Sequence, residues 1–142
     1  MKPDPQRQEK TAVVLGPTPM QEDRKPAVDV AAIARLREIA NGDLTFLKEV
    51  FSAYQADTAK RLVDLRSALA TGDAKGMRRI AHTIKGSSLN VGAENLTAYC
   101  HQLEQIAASG KLDGAAELIV RIEQESKRVE AELKRIHTRI IS

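Results

Sequence analysis

RRIAHTIKGSSLNVG occupies residues 78–92. Ile80, Ile84, Ser87 and Val91 recur there at steps of four, three and four, which puts them on one side of an α-helix turning about 100° per residue. That side is predicted to face a core. On the same wheel His82 points almost directly away from it, with Lys75, Arg78, Arg79, Lys85, Gly86 and Leu89 as its neighbours on the helix face. The predicted environment of the imidazole is therefore solvent, cations and one bare glycine. Glycine lowers helix propensity by about 1 kcal/mol relative to alanine, so its place one turn after the histidine calls for a compensating use.

The helical period extends to both sides of this stretch. Breaks at NGD (41–43), TGD (71–73), NVG (90–92) and SGKLDG (109–114) divide the chain after residue 28 into five predicted helices. The first runs from about Asp29 to Ala40 and presents Val30, Ile33 and Leu36. The second, about 43–71, carries Leu47, Val50, Phe51, Tyr54, Thr58, Leu62, Leu65 and Leu69 on one stripe. The third starts at an Asp73 N-cap and ends near Asn90; the fourth, about 93–109, repeats Leu96, Tyr99, Cys100, Leu103 and Ile106. The last starts at an Asp113 cap and repeats Leu118, Ile122, Ser126, Val129, Leu133, Ile136 and Ile140, the alternation of a bundle seam. Short connections imply antiparallel neighbours. The expected fold is all-α: an up-and-down antiparallel four-helix bundle, with the short N-terminal helix covering one end.

Composition agrees with that class. Of 142 residues, 42% are hydrophobic but only 3% aromatic, with no Trp, so the core is drawn from Leu, Ile, Val and Ala. All five prolines lie in the first 26 residues, which sets residues 1–27 apart as a Pro-rich tail or linker before a domain at 28–142. Within that tail AVVL, residues 12–15, is a short apolar run too small to fold alone. The 22 basic residues are interspersed with 19 acidic ones for a net charge of +3, so no broad cationic field for nucleic acid is implied. A single cysteine, Cys100, excludes an internal disulfide and fits a reducing cytoplasm. Neither a membrane-length apolar run nor a signal-peptide pattern is present, so no membrane contact is expected.

Cations around an imidazole disfavour its protonation and welcome an anion. A neutral ring nitrogen can attack phosphorus to give a phosphoramidate, whose oxygens lie within reach of a lysine one turn along, Lys85. With no side chain at Gly86, another protein can approach the helix backbone beside His82, and Leu89 offers an apolar contact below it. Arg78 and Arg79 are either a solvated face or partner contacts, and Lys75 lies farther along the same face. Ser87 and Ser88 read as small packing residues. His101 and His137 lack ligand-spaced partners, so no metal site is expected, and Cys100 reads as a buried small hydrophobe.

The run AHTIKGSS (81–88), followed by NVGAENL and CHQLE, resembles the histidine-containing phosphotransfer (HPt) domains of multistep two-component phosphorelays, over roughly residues 28–140. The resemblance implies that His82 is the phosphorylated histidine, Lys85 the phosphate-stabilising lysine and Gly86 the small docking residue. It further implies a phosphocarrier without a nucleotide site or cofactor of its own. Its partners would be receiver domains of response regulators or hybrid histidine kinases, which supply Mg²⁺. Consistently, no phosphate-cradling Gly-rich loop or kinase-like cluster occurs. Two other readings stand beside it: the phospho-acceptor domain of a hybrid or chemotaxis-type histidine kinase, and a helical adaptor that binds receivers through Leu89 and its neighbours.

Overall fold

A computed structural model describes residues 25–141, with the side chains of the last two outside the description; most of the expected Pro-rich tail, residues 1–24, lies outside the described residues as well. Among the described residues there are five α-helices and no strand: α1 (Val30–Ile39), α2 (Leu44–Thr71), α3 (Ala74–Asn90), α4 (Glu94–Ala108) and α5 (Ala115–Ile141). Three of them start on an aspartate whose carboxylate accepts an otherwise orphaned backbone N–H, as the sequence indicates for Asp73. Asp29 takes that of Ala31, Asp43 that of Phe46 and Asp73 that of Gly76. Helix α2 stops at Gly72, whose φ of +71° is open to glycine at little cost.

α5 departs from the expected start. Gly114, at φ +84°, precedes it and its carbonyl accepts the first helical bond, from Leu118, so Asp113 sits in the preceding turn and is not the cap.

Helix α2 packs on α3, α3 on α4, α4 on α5 and α5 on α2, with the most extensive contact between α3 and α4. The shared interior is built from Leu47, Phe51 and Leu65 of α2, Met77 and Ile84 of α3, Leu96 and Leu103 of α4, and Ile119, Ile122 and Leu133 of α5. The short α1 touches the α3–α4 turn. Asp29 donates its N–H to the Gly92 carbonyl at 2.8 Å, and a Cβ on Gly92 would stand 2.7 Å from Ala32 Cβ and 2.9 Å from Asp29 O. Only glycine permits that approach.

Three stripes differ from their predicted phase. In α1, Val30 is 70% exposed while Ala32 and Ile33 are buried, because the helix rests on its N-terminal turn against Gly92. In α3 the buried set is Met77, Ala81, Ile84 and Ser88, so Ile80 and Ser87 are half-buried flanks; at 100° per residue the face is turned by roughly 50°. In α5 the seam passes through Glu125, 1% exposed, and leaves Ser126 at its edge.

Burying a carboxylate requires partners. Glu125 receives hydrogen bonds from Arg128 Nη1 at 2.7 Å and from Asn95 Nδ2 at 3.1 Å. Asn95 also pairs with the backbone of Lys25, accepting its N–H at 3.3 Å and donating to its carbonyl at 2.6 Å, while Lys25 Nζ lies 2.8 Å from Glu94. Where the description begins, the chain is thus fastened to the start of α4. No helix among the described residues is long and apolar enough to cross a membrane.

Candidate functional site

His82 lies in the middle of α3, and its position is a direct consequence of which residues that helix buries. With Met77, Ala81, Ile84 and Ser88 turned inward, the ring emerges on the outer surface with 68% of its side chain exposed. It stands on open surface, not in a cleft. Arg78, Arg79 and Lys75 are exposed along the same side, and Leu89 is 60% exposed. A Cβ on Gly86 would meet nothing within 4 Å, so no neighbour among the described residues requires the glycine.

The ring is not bare. α3 and α4 fold back on one another across the Val91–Ala93 turn, and this brings Glu104, 22 residues farther along the chain, beside His82. Glu104 Oε2 is 2.9 Å from His82 Nδ1, and Oε1 is 2.7 Å from Lys85 Nζ. The Lys85 contact is an ion pair at an oxygen that is itself buried from solvent. The ammonium beside it holds the Glu104 carboxyl below the usual carboxylate range, reinforced by the His82 contact and opposed by burial. An ionised carboxylate only accepts, so the proton between Glu104 and the ring belongs to Nδ1. In the neutral imidazole the lone pair then resides on Nε2, which has no hydrogen-bond partner among the described residues. The charged partner of the ring is a carboxylate, where sequence spacing placed cations on every side.

Glu104 is the residue that sequence reasoning missed. It ends the CHQLE run and sits four residues after Cys100 and one after Leu103, at the edge of the buried stripe of α4. A carboxylate at such an edge, facing a helix that carries His and Lys three residues apart, is the available signal.

Below the site α3 is tied to α2 through buried groups. Ser88, fully buried, shares a 2.8 Å hydrogen bond with the Tyr54 hydroxyl of α2, and Ser87 Oγ donates back to the Thr83 and Ile84 carbonyls of its own helix. Burial pushes the Cys100 thiol up to about 12, leaving it a small hydrophobe. Among the described residues no group of three or more His, Cys, Asp or Glu could hold a metal ion.

Comparison with known proteins places this histidine-bearing helical region in a known family. The family model for the Hpt domain matches residues 49–137, which include His82, Lys85 and Glu104. No curated protein matches. Among solved structures, the crystal structure of histidine-containing phosphotransfer protein B (HptB) from Pseudomonas aeruginosa PAO1 superposes with a TM-score of 0.75 at 34% sequence identity, over 82% of this chain and 98% of that one. The match spans most of the helical region and the likeness extends from sequence to backbone: the chain belongs to the Hpt domain family, and its function is histidine phosphotransfer within a phosphorelay.

Proposed function

We propose that the phosphoryl group is carried on Nε2 of His82, and the observation that carries this reading is the Glu104 carboxylate on Nδ1. The Nε2 lone pair forms the N–P bond as the P–O bond of a receiver's aspartyl phosphate breaks and the aspartate carboxylate leaves. Positive charge develops on the ring. Glu104 offsets it through the Nδ1 proton, which stays where it is throughout. Transfer to the next receiver is the same step in reverse, with an aspartate oxygen as nucleophile.

Lys85 has a second task. Its ammonium neutralises Glu104 in the free protein, and on its flexible stem it can turn to a phosphoryl oxygen once one arrives. Because the site stands on open surface, the receiver must exclude water and supply the acidic pocket and Mg²⁺; this chain acts as a phosphocarrier with no nucleotide site of its own. Gly86 leaves the approach clear and Leu89 provides an apolar contact, with Arg78, Arg79 and Lys75 framing the docking face. The partners are receiver domains of response regulators or hybrid kinases in the cytoplasm.

The cyclic packing order of α2, α3, α4 and α5 supports an up-and-down antiparallel four-helix bundle, with α1 covering one end and the domain beginning near residue 28 after its tail. Incubation with a phosphorylated receiver is expected to label the chain at one site with an acid-labile, base-stable phosphate. Label persisting in His82→Gln would refute the assignment.

A further inference from the structure

Away from His82, a groove of about 500 Å³ runs between α2 and α5. In the cyclic packing order this seam lies across the bundle from the α3–α4 seam, where Glu104 meets His82. Its α2 wall carries Ala59, Leu62 and Val63; Ala59 is exposed, Leu62 is half-buried and Val63 is 67% exposed. Its α5 wall carries Glu123, Lys127 and Glu130, and Lys134 follows one turn on, 3.7 Å from Glu130. At 100° per residue these four fall within about 60° of one another, a single row of charges that reads minus, plus, minus, plus. Ion pairs within the helix account for such a row on a solvated face. They do not account for the apolar wall beside it, which is stabilised only when covered.

The row is complementary to itself when reversed. Laid antiparallel on a second copy, Lys127 meets Glu130 of the other copy and Glu123 meets Lys134; laid parallel and in register, each charge meets its like. We propose that this face is where a second copy of the chain docks, about a two-fold axis that crosses the groove between Lys127 and Glu130. The strip of Ala59, Leu62 and Val63 then meets its own counterpart, an apolar centre inside a charged rim. The area suffices. With 28 residues in α2 and 27 in α5 the face is about 40 Å long, and two helices about 10 Å wide give roughly 800 Å² per copy, one side of a standard protein interface. Because the groove is across the bundle from the α3–α4 seam, His82 of each copy stays open to a receiver. The inference does not depend on which histidine carries the phosphoryl group.

Sedimentation equilibrium of the full-length chain tests it, between about 5 and 500 μM, since interfaces of this size extend to micromolar affinity. The unmodified chain is expected to associate reversibly to a dimer. Val63→Asp, an exposed position whose change spares the core, should weaken that dimer by at least about tenfold with helical content unchanged. Lys127→Glu sets acid against acid across the axis and should weaken it by about the same factor. Adding Glu130→Lys makes every pairing across the axis opposite again, so Lys127→Glu/Glu130→Lys should return the dimer to within about threefold of the unmodified chain. A monomer at every concentration would overturn the proposal and leave the groove to a helix of another protein. So would a dimer that Val63→Asp and Lys127→Glu leave intact, or a charge exchange that fails to restore association.

Discussion

Glu104 Oε2 and His82 Nδ1 are 2.9 Å apart, and on the proposed reading this one contact selects which nitrogen of the ring is free to react. Glu104→Ala removes it without emptying the core, since the carboxylate lies at the edge of the stripe. The ring should then lose its preference for the Nδ1–H tautomer, visible in its ¹⁵N shifts. Phosphotransfer should slow about tenfold, the lower end of what a charge-assisted hydrogen bond of about 1.5–3 kcal/mol predicts, because the ring is largely solvated. An unchanged tautomer and rate would make Glu104 a surface residue.

The same carboxylate gives a pH dependence whose sign can be worked out. Its folded pKa is lowered, chiefly by Lys85, so its stabilising contribution is complete above the ordinary carboxylate value of about 4.3 and is lost as pH falls through the lower folded value. The stability difference between the unmodified chain and Glu104→Gln should therefore be present at about pH 5 and shrink below about pH 4. Denaturant titrations from about pH 5 downward check it; a difference that grew below about pH 4 would contradict the pairing.

Lys85→Ala should slow phosphorylation or shorten the lifetime of phosphohistidine about 10- to 100-fold, with helical content intact, as one charge-assisted contact to the phosphoryl group is lost. The carboxyl of Glu104 should titrate at higher pH in the same variant, because its largest stabilising partner is gone. Rates, lifetimes and carboxyl ¹³C shifts on one preparation measure both effects.

Open space around the Gly86 Cβ position separates docking from folding. Gly86→Glu puts a better helix former on an exposed turn, so stability should hold or rise by up to about 1 kcal/mol. Transfer should nonetheless fall at least tenfold, since the new carboxylate opposes both the phosphoryl group and the acidic pocket of a receiver. Preserved transfer with a lowered melting temperature would sink the docking role.

Much of this site was legible before the fold was known, and the unread part has a common cause. Asp73 announces its helix because an N-cap is a local event, although Asp113, read in the same way, is not a cap, and His82 reads as exposed because its own helix supplies the reference. Glu104 could not be assigned a role in the same way, since it acquires one only when α4 folds back on α3. The phase of α3 differs from the sequence reading because Ile80 outweighs Ala81 in hydropathy, although it is the small Ala81 that is fully buried. Glu125 was unreadable for a similar reason: what makes its burial tolerable, Asn95, belongs to another helix.

The Tyr54–Ser88 pair tests how firmly the pedestal is built. Tyr54→Phe leaves the fully buried Ser88 hydroxyl without its partner and should destabilise the fold by about 1–3 kcal/mol. Adding Ser88→Ala should recover part of that loss, because removing both partners strands neither. Strictly additive losses in urea unfolding would show that the hydrogen bond contributes little.

The most direct test of the central claim is to ask which nitrogen of His82 carries the phosphoryl group. With ¹⁵N-histidine in the chain and a phosphorylated receiver as donor, the account predicts a one-bond ¹⁵N–³¹P coupling at Nε2 of His82, with Nδ1 still protonated and hydrogen-bonded. A phosphoryl group on Nδ1, or on His101 or His137, would contradict it.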